Sequence, residues 1–308
     1  MRAHSPARLC LVSGCRIAVI GPGAIGAVFA AAAQQAGRSQ VVICARRPPG
    51  PLVVEPDGQP PIAVDAPVIT DPGQAAGAVD WIFLAVKAHQ TQGASGWLRA
   101  LAGPETVVVV LQNGVEHYQR VAPLAGQATV LPAIVWSAAE TVADGRVRLR
   151  GQPQLSVPVG EPGRRLAQLL DGAAQVDLVP DFTTEAWRKL CVNAVAGLMA
   201  LAGRRAGIFR QAEMAALARA LATECSAVAQ AEGARLGDGA VDEIVALFAA
   251  MPADLGTSIL ADREAGRPLE WDARNGVIRR LGLRHAIATP VSDVIVPLLA
   301  AASGDPQH

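Results

Sequence analysis

The fold class predicted is α/β: an N-terminal doubly wound parallel sheet of the Rossmann type followed by a C-terminal all-helical domain. Three observations predict it. Short β-branched runs alternate with Ala-rich stretches from Cys15 to about Pro180, strand signals largely stop after Val176–Asp181, and a glycine-rich turn links the first strand signal to the first helix signal. At 308 residues the chain has room for two domains. The expected division is an N-terminal extension over 1–14, a dinucleotide-binding domain over 15–180 and a helical domain over 181–308.

Taken in order, Cys15–Ile20 predicts the first strand, Ala24–Ala36 a helix and Gln40–Ala45 the second strand. Trp81–Val86 and Val107–Leu111 predict later strands, with Gly/Pro turns between. The segment Val135–Gly160 alternates polar and apolar residues around an Asp144-Gly145 turn signal, which predicts an antiparallel edge hairpin closing the first domain. Beyond it, apolar residues recur at helical spacing through 185–202, 208–232, 240–250, 256–264, 272–283 and 291–302.

Hydrophobic residues make up 51% and charged residues 18%, which excludes a disordered chain. With 27 basic and 27 acidic residues, no global field draws the protein to nucleic acid or to an anionic membrane. The apolar runs Val79–Val86, Glu105–Gln112 and Ala128–Trp136 fall far short of the ~20 residues that span a bilayer. Residues 1–14 carry positive charge but lack the ~7–15 apolar residues of a secretion signal. The five cysteines (10, 15, 44, 191 and 225) are odd in number and include no C-x-x-C pair, which argues against a disulfide framework and for the cytoplasm. No H-x-x-x-H pair supports a metal site, and His89, His117 and His285 read as loop or surface residues without chemistry.

The turn Gly21-Pro-Gly23-Ala24-Ile25-Gly26 stands where a strand hands over to a helix. One glycine permits the tight turn, one lets the backbone approach a pyrophosphate, and one lets helix and strand pack closely. The helix start adds unpaired N–H groups and a positive dipole end. An NAD-binding chain places Asp or Glu at the end of the second strand, yet no acidic residue occurs between Gly26 and Glu55, and Arg46-Arg47 stand there instead. A guanidinium holds a ribose 2′-phosphate bidentately, so the expected cofactor is NADP.

Four further segments concentrate polar residues in apolar surroundings: Leu84–Thr91, Leu111–Glu116, Glu185–Leu201 and Ser258–Gly276. With the glycine turn they occur in the order of the ketopantoate reductase (2-dehydropantoate 2-reductase) family, which the chain resembles over roughly residues 15–300, including a spacing of twelve from Ser258 to Glu270. The resemblance implies NADPH-dependent reduction of a small 2-oxo acid to a 2-hydroxy acid, with substrate in a cleft between the two domains. It implies that Lys189 of the W-x-K-L motif donates the proton, that Asn193 helps hold the substrate oxygens, and that Ser258 and Glu270 contact carboxylate and hydroxyl groups. Lys87 and Gln90 match the family's V-K-x-x-Q loop and Asn113 its Q-N-G loop, both at the cofactor–substrate junction, and Arg46 matches its basic residue after the second strand.

Elementary chemistry agrees. Hydride delivery to a ketone leaves negative charge on oxygen, which calls for a proton donor, and a desolvated lysine gives up its proton readily. Lys189 and Asn193 lie four apart on one helical face. Glu270 alone is equally consistent with a carboxylate at a helix N-terminus stabilised by the dipole. The chain departs from the family at Gly197 and Leu255, where polar groups are common, which predicts spare pocket volume and tolerance of more apolar 2-oxo acids. Opine-type and 3-hydroxy acid dehydrogenases share the architecture but normally use a His-Asp pair or a differently placed lysine helix; a non-catalytic NADPH sensor has no use for Lys189 and Glu270. The Ala-rich helical domain is also a candidate for self-association as a homodimer.

Overall fold

In the computed structural model, residues 14–143 and 145–304 are described. Expectations for residues 1–13, for Asp144 and for the last four residues lie outside them. The strands are β1 (Cys15–Ile20), β2 (Ser39–Cys44), β3 (Val53–Pro56), β4 (Ile62–Ala63), β5 (Val68–Ile69), β6 (Trp81–Leu84), β7 (Val107–Val110), β8 (Thr129–Pro132), β9 (Ile134–Val135), β10 (Ala138–Ala143), β11 (Arg146–Arg150), β12 (Gln154–Pro158) and β13 (Gln175–Val179). The helices are α1 (Ala24–Ala36), α2 (Ser95–Leu101), α3 (His117–Ala125), α4 (Glu161–Leu169), α5 (Phe182–Ala202), α6 (Ala212–Ala231), α7 (Ala240–Ala250), α8 (Ser258–Glu264), α9 (Val277–Arg284) and α10 (Pro290–Ala302).

Apolar runs without polar alternation become the inner strands of a parallel sheet, since both of their faces are covered. The main sheet runs β5-β2-β1-β6-β7-β8, and every pairing in it is parallel, with Ile17 opposite Val41 on one side and Trp81 on the other. Chain order proceeds outward from β1 through β2 and β5, then from β6 through β7 and β8 the other way. The reversal between β1 and β6 is where open sheets of this class bind ligands. Helix α1 packs on this sheet, is buried all round from Gly26 to Ala33, and closes on Gly37 in the left-handed region at φ 66°.

Thus the strands expected from β-branched runs are present to within one or two residues. The hairpin is present as β10 and β11, antiparallel with a bulge between Thr141 and Ala143, but it lies in a separate sheet of order β10-β11-β3-β4. The reason is apolar: Val147, Leu149 and Val54 join the core cluster that holds the α1 alanines, so α1 is covered on its outer side as well. A third sheet pairs β13, β12 and β9.

By compactness the chain forms two units. One holds the segments ending at Val86, with Gly93–Leu111 and Val121–Leu178; the other takes Lys87–Gln92, Gln112–Arg120 and the chain from Val179 onward. In the second unit the core gathers around α5, which starts on Asp181, whose carboxylate accepts from Thr184 N, and ends on Gly203 in the left-handed region. The helix expected over 208–232 is divided, because Gln211 is extended between a 3-10 turn at Ala206–Arg210 and α6. The one expected over 272–283 opens with a π-turn at Asp272–Gly276, where Ala273, Arg274, Asn275 and Gly276 are all buried. Among the described residues no helix is long and apolar enough to cross a membrane.

Candidate active site

The glycine turn follows β1 directly. Gly21 has φ 93°, and a Cβ there would stand 2.8 Å from Val86 N. Its own N–H donates to Cys44 O at 3.1 Å, tying the turn to the end of β2. Gly23 is exposed with nothing within 4 Å of where its Cβ would be, and Gly26 is buried with Gly21 O in the place of its Cβ. Helix α1 starts here with no side-chain cap and no acid in its first turn, so the leading N–H groups of Ala24, Ile25 and Gly26 face an uncapped helix start. An open cradle of this kind fits a pyrophosphate. Arg46 and Arg47 are exposed just beyond β2 and form no ion pair with another described residue.

Lys87, Gln90 and Asn113, expected beside the cofactor, are grouped by the fold with the helical unit. There Glu270, 3% exposed, is the hub. It accepts from Ala88 N at 2.9 Å and from Asn113 Nδ2 at 2.8 Å, with Lys87 Nζ at 3.6 Å. Lys87 Nζ donates to Asp262 Oδ2 at 2.8 Å, and Asp262 Oδ1 accepts from Arg267 Nε at 2.9 Å. Asn193 Nδ2 donates to Asn113 Oδ1 at 3.3 Å, and Asn193 Oδ1 accepts from Arg274 Nη2 at 2.7 Å. Arg274 Nη1 reaches Ser258 Oγ at 3.5 Å. The carboxylate of Glu270 therefore serves Ala88, Asn113 and Lys87, and a helix-dipole role is not needed to explain it.

Burial, and then the positive charge of Arg274, bring the Lys189 ammonium down to about 8, one helical turn before Asn193. For Glu270 burial alone would raise the carboxyl, but Lys87, Arg274 and the bonds from Ala88 and Asn113 outweigh it and hold it below its ordinary value. The helical unit thus holds both a fixed carboxylate and an ammonium that releases its proton at a pH of about 8.

Sequence reasoning gave no role to Asp262, Arg274 or His117. His117 corrects the surface reading: it is 4% exposed, and its Nε2–H donates to Gln112 O at 2.8 Å. Burial keeps the ring neutral, and the bond pins the loop that carries Asn113. His89 is exposed and His285 meets Glu232, as the surface reading expects. The spare volume expected at Gly197 is absent, because a Cβ there would lie 2.9 Å from Asn275 Oδ1 and 3.3 Å from Leu299 Cδ1. Leu255 packs against the helical core. Neither position supports a looser pocket.

The family model described as ketopantoate reductase PanE/ApbA matches residues 17–162, and its C-terminal counterpart matches residues 181–303. The 2-dehydropantoate 2-reductase of Mycobacterium tuberculosis is 54% identical over 291 residues, covering 94% of this chain and 98% of that one. A PanE/ApbA family ketopantoate reductase from Ralstonia eutropha superposes with a TM-score of 0.85 at 29% identity, over 95% of this chain and all of the other. The dimeric ketopantoate reductase of Staphylococcus aureus gives 0.83 at 26% identity, over 94% and 98%. Motif order, fold and full-length similarity agree: the chain belongs to the ketopantoate reductase family.

Proposed function

We propose that this chain reduces 2-dehydropantoate, or a close 2-oxo acid, to the 2-hydroxy acid with NADPH. The observation that carries the reading is Lys189, its ammonium lowered to about 8, one turn from an asparagine bonded into the Glu270 cluster, in a family member. In functional terms residues 15–180 hold the cofactor and residues 181–308 supply most groups that meet the acid.

The backbone of Gly21, Gly23, Ala24, Ile25 and Gly26 holds the pyrophosphate, and Arg46, with Arg47 beside it, takes the 2′-phosphate. Lys87, Gln90 and Asn113 serve the reactive end of the cofactor, and Asn113 also meets substrate. The nicotinamide, when bound, supplies a hydride to the carbonyl carbon. Lys189 Nζ gives its proton to the carbonyl oxygen as charge develops there and regains one from water afterwards. Asn193 and Ser258 orient the substrate oxygens, and Glu270 accepts from the hydroxyl while keeping Lys87 and Asn113 in place.

Steady-state kinetics over a panel of 2-oxo acids with both nicotinamide cofactors test this. Turnover of 2-dehydropantoate is expected, with NADPH favoured by ~10- to 100-fold, the worth of a charge-assisted contact to the extra phosphate. Equal use of NADH would overturn the assignment of Arg46, and no turnover of any 2-oxo acid would overturn the reaction. The dimeric Staphylococcus aureus relative supports a homodimer, which sedimentation velocity of the purified chain checks. The cytoplasm is the compartment in which this reading places the enzyme.

A further inference from the structure

Arg274 is 3% exposed, and among the described residues no carboxylate lies within ion-pair distance of its guanidinium. Glu270 and Asp262 attract it from farther away, but their oxygens are already taken by Lys87, Ala88, Asn113 and Arg267. The two Nη atoms turn toward Asn193 and Ser258, while the Nε–H has no partner at all. A buried guanidinium with an idle donor is an expensive arrangement for a fold to keep. It is also a half-used fork, since Nε and a neighbouring Nη present parallel donors that match a carboxylate. Locally the cations Lys87, Arg267 and Arg274 stand against two carboxylates, Asp262 and Glu270, which leaves the cluster in need of an anion.

We propose that Arg274 is the anchor for the substrate carboxylate, binding it through the unpartnered Nε–H and the Nη2–H beside it. This rests on the reading of the chain as a 2-oxo acid reductase and adds the residue that selects for the acid. The π-turn makes the placement available, because it turns Arg274 inward beside Asn193. Substrate binding then supplies the negative charge that this set of side chains lacks, which favours 2-oxo acids over 2-oxo esters and amides.

The test compares a 2-oxo acid with its methyl ester in the wild type, Arg274→Met and Arg274→Lys. Arg274→Met is expected to raise KM for the acid by ~10- to 100-fold, to leave KM for the ester nearly unchanged, and to leave NADPH affinity intact. Arg274→Lys restores charge without the fork and recovers only part of the loss. Equal losses for acid and ester would show a merely structural role and overturn the proposal. A second measurement needs neither turnover nor a stable Met variant. Wild-type protein labelled with 15N at arginine Nε is titrated, in the presence of NADP, with oxamate and with neutral ethyl oxamate, the Arg274 signal being the one absent from Arg274→Lys. Oxamate should move that signal and the ester should not; a signal indifferent to saturating oxamate would overturn the anchor. If the wild type reduced no 2-oxo acid, the proposed reaction would fall alone, and the oxamate titration would still decide the anchor.

Discussion

Replacing Lys189 by alanine is expected to lower kcat by ~10²–10⁴-fold while leaving the NADPH dissociation constant unchanged, because the proposed general acid is lost and the glycine turn proposed to hold the cofactor is untouched. Rapid-mixing kinetics at saturating substrate, with cofactor binding followed by fluorescence, read both quantities. Wild-type turnover in the variant would remove Lys189 from the mechanism. A pH profile gives an independent check. With the ammonium titrating at about 8, kcat for reduction should be full below that pH and fall as pH rises through it. Stability moves the other way. A lysine lowered in the fold from its ordinary value of 10.5 costs stability wherever it must be buried charged, and that stability is regained between pH about 8 and 10.5. Lys189→Met should therefore raise the melting temperature at pH 7 even as it abolishes the fast proton transfer.

Gly26→Ala is the second large effect. The new methyl would be driven into the carbonyl oxygen of Gly21, a backbone atom with no rotamer to retreat into. Overpacking of this kind costs ~1–3 kcal/mol, which for a domain of this size lowers the melting temperature by roughly 2–4 °C per kcal/mol. The larger loss is functional, because the start of α1 must shift and its leading N–H groups lose the aim that the proposed pyrophosphate contact requires. NADPH affinity should fall at least ~10-fold, and calorimetric titration measures it. Gly23→Ala, at a position where nothing lies within 4 Å of the new Cβ, should leave the melting temperature unchanged, which separates crowding from a general intolerance of side chains in the turn.

What could be read from the sequence follows physical periodicity. Val107–Val110 and Trp81–Leu84 announce buried parallel strands because every residue is apolar, and α5 to α10 announce themselves by spacing. Val53–Pro56 gives no such signal: it is short, ends on proline, and is held between Ile62–Ala63 on one side and Arg146–Arg150, from far along the chain, on the other. Among the site residues, Lys189, Asn193 and Glu270 stand out by motif and type. Arg274 does not, since an arginine in a polar stretch looks solvated until the structure places it in a buried π-turn beside Asn193. His117 is hidden for a similar reason, because its partner is a loop carbonyl that no pattern announces.

The grouping of Lys87–Gln92 and Gln112–Arg120 with the helical unit has an engineering and evolutionary consequence. The unit that carries Glu270 is not a cassette that begins at residue 179. A fragment cut there would carry Glu270 without Ala88, Asn113 or Lys87, an ionised carboxylate stripped of three of its supports. Chimeras that exchange specificity between relatives must therefore move three stretches of chain together, two of them grafted onto the exits of strands belonging to the other half. Recombination at a single crossover will tend to yield proteins whose polar cluster is assembled from mismatched parents.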